Sequence, residues 1–262
     1  MSRNLSISQS KRYDEGKTLV EDSKYNDADL KSIVNNELRN YAKEQLVEYN
    51  FTIIIVDEIS TKKCYEMVKS IFPDFPEVDY RNDKTSMRPD GGIMFAINKN
   101  GDHFPILISE DKVQGTNDSR KADNLSRQST GNAIERGAKN INFAKTLCLG
   151  QSFYPYVIFA SGCDFHHTET ISRRLEQMNG LMPNNYIDVG NKETSIEEQL
   201  DRTLYNINIM KRYGHREYAT ICVKAHKWDE LPHGASKWTK EERIQICKKV
   251  IDQAVEEIKK TL

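Results

Sequence analysis

The strongest constraint in this sequence is a pair of apolar runs folded back on each other through a turn. Residues 91–97 form the first run and residues 104–112 the second. Between them lies Asn98-Lys99-Asn100-Gly101, a stretch built of the residues that tight turns select. Two such runs around such a turn predict an antiparallel strand pair. The pairing brings Asp90, at the head of the first strand, beside the Glu110 end of the second. Residues two apart on a strand share a face, so Glu110 and Lys112 project together and Asp111 points the other way.

The flanking sequence alternates helical and extended signals. Leu30, Ile33, Val34, Leu38, Tyr41, Leu46 and Val47 recur at helical spacing and predict a helix over 27–49, with Asn26 or Asp27 as its N-cap. Residues 51–56 predict a strand, and 61–72 a second helix stopped by Pro73. Residues 73–87 are turn-rich, and 113–130 form a polar loop carrying Lys121 and Arg127. Further helices are expected over 132–149, 168–178, 195–211 and 239–258, the last capped by Thr239 with Glu242 three residues on. Strands are expected over 154–160 and 218–223. Strands separated by helices indicate an α/β layered fold. Residues 26–262 read as one domain, and 1–25 as a flexible arm or segment with Arg3, Lys11, Arg12 and Lys17.

Composition narrows the function classes. Charged residues are 29% and hydrophobic ones 37%, a globular balance. No apolar run reaches the roughly 20 residues that span a bilayer, and the polar first residues lack a signal peptide's apolar stretch. A cytoplasmic address with no membrane partner is the resulting expectation. The cysteines at 64, 148, 163, 222 and 247 are scattered and contain no CxxC pair, which predicts reduced, mostly buried thiols. His166 and His167 are adjacent and diverge, so they make no zinc clamp. A net charge of −1 does not exclude nucleic acid, because a nuclease gathers carboxylates at its metal and bases on its DNA face.

Two carboxylates and a lysine converging on one spot suit phosphodiester hydrolysis. Asp90 and Glu110 would supply oxygen ligands to Mg2+, a hard cation that keeps several waters. Lys112 would orient the attacking water or neutralise charge developing on the phosphate. The preceding Pro89-Asp90-Gly91-Gly92 stretch is also a tight-turn sequence in its own right.

Four segments, in order, together resemble the EcoRI-like type II restriction endonucleases. They are Arg88-Pro89-Asp90-Gly91-Gly92-Ile93, Glu110-Asp111-Lys112-Val113-Gln114-Gly115, Gly131-Asn132-Ala133-Ile134-Glu135-Arg136, and Phe153-Tyr154-Pro155-Tyr156-Val157-Ile158-Phe159. The resemblance covers about residues 85–165. It implies the PD-(D/E)xK nuclease fold, an α/β domain with a central mixed five-stranded sheet flanked by helices. It implies catalytic roles for Asp90, Glu110 and Lys112, with Asp90 and Glu110 as the Mg2+ ligands. It further implies that residues 131–136 enter the DNA major groove, and that Gln114 belongs to the DNA-binding set. Asn132 would pair with adenine, Ala133 would pack on a base edge, and Glu135 and Arg136 would bridge to adenines. The implied product is double-stranded DNA cut at an AATT-centred palindrome with four-base 5′ overhangs. A palindrome implies a homodimer, and a cognate methyltransferase would share the target without binding this chain.

This sequence departs from the family pattern at informative positions. Asp111 stands where a small residue is expected, and Gln128 where an apolar one precedes the recognition helix. Arg174 matches one of two outer-base arginines, and Gln177 stands at the other. These changes lead us to expect an outer pair read as purine–pyrimidine. Two rival readings are a repair or junction nuclease on the same fold and a catalytically inactive sequence-specific DNA-binding protein. The Asn132 segment speaks against the first, and the intact Asp90, Glu110 and Lys112 against the second.

Overall fold

A computed structural model of the chain describes residues 29–75, 86–113, 140–141, 143–149, 151, 153–161, 186–188, 220–224 and 238–262. The main sheet grows around the hairpin. Strand β1 (Thr52–Val56) pairs antiparallel with β4 (Ile93–Ile97), and β4 pairs antiparallel with β5 (His103–Val113). Beyond β5 the pairing turns parallel, through β6 (Tyr156–Ser161), β8 (Thr220–Lys224) and β7 (Tyr186–Asp188). A second, two-stranded sheet joins β2 (Ile59–Ser60) to β3 (Ser86–Met87).

The main sheet is therefore mixed, as expected, but among the described residues it has six strands in the order β1-β4-β5-β6-β8-β7, not five. Strand β7 is three residues long, too short for its alternation to stand out in sequence. The two-residue strands β2 and β3 are likewise too short to leave a pattern in the sequence.

Local chemistry explains the hairpin. The Asn98 side-chain oxygen accepts from the backbone N–H of Asn100 and of Asp102, each at 2.9 Å, and Gly101 takes φ +85°. A side chain that mimics the backbone and a left-handed glycine close the turn. The register shifts between Met94 and Phe95, which face Leu107 and Pro105, so Ile106 is the extra residue of a bulge.

Helices cover both faces of the sheet. On one face, helix α1 (Arg39–Leu46) and the long helix α3 (Lys240–Lys259) bury Ala42, Leu46, Val250 and Ile251 against Met94, Leu107 and Phe159. On the other, helix α2 (Thr61–Ile71) and the helical residues 140–141 and 143–147 bury Cys64, Val68, Ile141 and Ala144 against Ile93, Phe95, Ile108 and Ile158. The expected helix over 27–49 is broken in detail: a wider π turn (Val34–Leu38) leads into α1, and a 3-10 turn (Val47–Tyr49) ends it at Asn50, which takes φ +56°. Its expected N-caps, Asn26 and Asp27, lie outside the described residues, as do the expected helices over 168–178 and 195–211. Helix α3 starts with the expected capping box of Thr239 and Glu242. Trp238 ties that start to β6 by donating to the Ala160 carbonyl at 3.0 Å. No helix among the described residues is long and apolar enough to cross a membrane.

Candidate active site

The site forms where β5 runs past the beginning of β4. The last rung between them is made by Gly91, whose N–H donates to the Ser109 carbonyl at 2.9 Å. A Cβ on Gly91 would collide with the Ser109 hydroxyl, so any larger residue there would have to displace that side chain. Gly92 follows with φ +78°, a conformation that glycine adopts freely. One residue before them, Asp90 is thereby set against the far end of β5. Its carboxylate accepts from the Asp111 backbone N–H at 3.0 Å, in the place where a next strand residue would have paired.

Glu110 and Lys112 project together from β5, as alternation requires, onto the face that carries Ile108 and Ile158. The Lys112 ammonium contacts the Glu110 carboxylate, lies 3.6 Å from Asp90 Oδ2 and donates to the Asp111 carbonyl at 3.2 Å. The three residues proposed from the sequence are thus brought together. The side chains of Glu110, Lys112 and Asp90 are 3%, 16% and 27% exposed, so Glu110 forms the floor and the site opens past Asp90 and Lys112.

Two further residues hold Glu110, and the sequence reading missed both. Tyr156, on the neighbouring strand β6, donates its hydroxyl to Glu110 Oε2. Asn140 donates to Oε1 at 3.0 Å. Burial, followed by the charge and hydrogen bond of Glu110, drives the Tyr156 phenol well above its ordinary pKa, so it remains a donor. The Tyr154 hydroxyl donates to the Ile141 carbonyl at 2.8 Å and fixes the helical stretch that carries Asn140.

Among the described residues, no group of three or more His, Cys, Asp or Glu side chains gathers to hold a metal. The donor set around the Lys112 ammonium is nevertheless one that a hard cation accepts. It consists only of oxygens, from Asp90, Glu110 and the Asp111 carbonyl, already arranged about a positive charge. Those groups fit a divalent ion. The carbonyl is a third oxygen that side-chain pattern alone does not reveal.

Asp111 does point away from the site, as strand alternation requires. It is not solvated there. Arg243, in the first turn of α3, meets its carboxylate at 3.0 Å and reaches Asp29 at 3.1 Å with its other terminal nitrogen. Arg243 and Asp111 are both buried. A signal for half of this pair was present: Arg243 is a charged residue on the helix stripe of Ile246, Cys247 and Val250, and buried charges require partners.

The other proposed positions, Gln114, Gln128, Gly131, Asn132, Ala133, Glu135, Arg136 and Arg174, lie outside the described residues, together with Gln177 and residues 1–25.

Comparison with known proteins bears on the same chain. A family model described as Restriction endonuclease EcoRI matches residues 15–262. Among curated proteins, the type II restriction enzyme EcoRI of Escherichia coli is 33% identical over 124 residues, 44% of this chain and 44% of its own. The type II restriction enzyme RsrI of Cereibacter sphaeroides is 34% identical over 115 residues, 41% of each chain. The matched part spans less than half the length of either relative.

Proposed function

Because the chain belongs to the EcoRI restriction endonuclease family, we propose that it is a type II site-specific deoxyribonuclease on a PD-(D/E)xK fold. It hydrolyses both strands of DNA at a palindrome with an AATT core and leaves four-base 5′ overhangs. The outer base pair is read as purine–pyrimidine. The observation that carries this reading is the convergence of two carboxylates, from Asp90 and Glu110, on the ammonium of Lys112 at the open end of β5.

The geometry about Lys112 supports the metal-site roles, and the resemblance supports the base-reading ones. Asp90, Glu110 and the Asp111 carbonyl would hold Mg2+. The chemistry supplied by that ion is polarisation of the scissile phosphate and acidification of a water. Lys112, near the mouth of the site, orients the attacking water and stabilises the charge that develops on the phosphate. Tyr156 and Asn140 keep Glu110 in one position. Asn132, Ala133, Glu135 and Arg136 read the AATT bases, supported by Gly131, Gln114, Gln128 and Arg174. Two copies of residues 26–262, each cutting one strand, match the two-fold symmetry of the target, with 1–25 as an arm. A methyltransferase of the same specificity protects the host DNA.

The test is to incubate the protein with Mg2+ and a plasmid carrying several AATT sites, then sequence the ends. The expected result is cutting at AATT with 5′ overhangs, purine–pyrimidine outer pairs, and no cutting by Asp90→Ala. Selective binding without cutting would leave a DNA-binding protein. The absence of both cutting and selective binding would overturn the reading.

A further inference from the structure

The main chain of Asp111 has an unusual set of obligations. Its N–H is the donor that holds Asp90 at 3.0 Å, and its carbonyl is the acceptor that faces the Lys112 ammonium at 3.2 Å. Both groups lie on the side of β5 where Ser109 still pairs with Gly91 and Gly92. Past that rung, this edge carries the Asp90 carboxylate and the Lys112 ammonium in place of a neighbouring strand. The position of the Asp111 main chain therefore sets the spacing of Asp90, Lys112 and the carbonyl oxygen.

The side chain of the same residue is anchored on the opposite face. Asp111 is buried, and Arg243 Nη2 meets its carboxylate oxygens at 3.0 and 3.1 Å. Arg243 is itself 2% exposed and is braced by Asp29 through Nη1. A guanidinium holding two partners at once is a directional clamp, because its planar donors fix angle as well as distance. The clamp comes from the first turn of α3, whose start is secured by the Thr239–Glu242 capping box and by Trp238.

We propose that Arg243 is a positioning residue for the Asp90–Glu110–Lys112 site, acting through Asp111 from behind the sheet. It fixes where the Asp111 N–H and carbonyl stand, and so fixes the oxygen set offered to the cation. This inference rests on reading that set as a divalent-metal site in a nuclease. The competing role is narrower, with Arg243 only neutralising a buried carboxylate.

The deciding variant is the double replacement Asp111→Ala/Arg243→Met, which removes both charges and leaves neither buried alone. Arg243→Met and Arg243→Lys are made beside it. Mn2+ binding is read by the loss of the free ion's paramagnetic resonance signal, and DNA cleavage by the single-turnover rate at saturating DNA. Folding is checked by circular dichroism. Under the proposal the double variant folds yet binds Mn2+ about tenfold more weakly, the lower range for loss of an outer-shell partner, and its cleavage rate falls with it. Arg243→Lys recovers part of what Arg243→Met loses. A folded double variant with wild-type Mn2+ affinity and cleavage rate would overturn the proposal and leave Arg243 as a charge partner only. Should the wild-type chain cut no DNA while the double variant still binds Mn2+ more weakly, the nuclease reading fails and the positioning role stands.

Discussion

Glu110 shows how much a single side chain in this fold depends on its neighbours. One carboxylate oxygen receives Lys112 and Asn140, and the other receives Tyr156. Strand alternation put Glu110 and Lys112 on one face, and the hairpin brought Asp90 to them, so these three were legible from local pattern. Asn140 and Tyr156 stand 30 and 46 positions away along the chain, and no local periodicity links them to Glu110. Tyr156→Phe isolates the hydroxyl, since the ring keeps its edge-on packing against Tyr154. We expect this variant to fold normally and to need about tenfold more Mg2+ for half-maximal cleavage. A rate-against-Mg2+ titration checks it, and an unshifted midpoint would mean that Lys112 and Asn140 hold Glu110 without help.

At the scale of elements, chain signals with a local cause were the readable ones. The helix expected over 61–72 is α2 at Thr61–Ile71, with the Ser60 side chain accepting from Lys63 N–H at 3.2 Å as its cap. The C-terminal helix starts where Thr239 and Glu242 said it would, with both hydrogen bonds of the box formed, at 3.2 and 2.8 Å. Thr239→Ala removes the side-chain acceptor and should cost about 1 kcal/mol of stability. Urea unfolding measures this as a lower midpoint at unchanged slope, and an unmoved midpoint would mean that Trp238 packing alone sets the helix start. The strand expected over 154–160 begins later, at Tyr156, because Pro155 has no N–H to donate to a ladder and the Tyr156 N–H turns back to the Tyr154 carbonyl at 2.9 Å. Pairing partners and sheet order are long-range properties, and short strands such as Tyr186–Asp188 owe their existence to them.

Across the described molecule, one sheet carries an apolar layer on each face, and several titratable groups are caught in those layers. Tyr41 donates to Asp252 at 2.5 Å, joining α1 to α3. Burial, then this hydrogen bond, pushes its phenol from 10.0 up to about 12. Burial alone pushes the Cys64 thiol from 9.0 to about 12. Both folded values lie above the unfolded ones, so the stability these protonated groups contribute is complete below about pH 9 and is lost as pH rises from about 9 to about 12. We expect the urea midpoint to be flat from pH 7 to 9 and to fall above it; a midpoint constant to pH 12 would contradict the buried Cys64 thiol and the Tyr41–Asp252 hydrogen bond. The four described cysteines, Cys64, Cys148, Cys222 and Cys247, are free and buried, in line with the reduced thiols their scattered spacing suggested. By itself, the sequence determined what depends on neighbours along the chain: the hairpin and its turn, the capped helix, the shared face of Glu110 and Lys112, and the α/β class. It also carried enough ordered motif to point to the EcoRI family, because matched residues in matched order need no knowledge of contacts. Only the tertiary structure decided that Tyr156 and Asn140 grip Glu110, that the Asp111 carbonyl joins the oxygen set, and that Asp111 is answered by Arg243, 132 positions away. Those contacts arise from packing separate elements on one sheet, and a linear pattern holds no record of which buried charge will meet which.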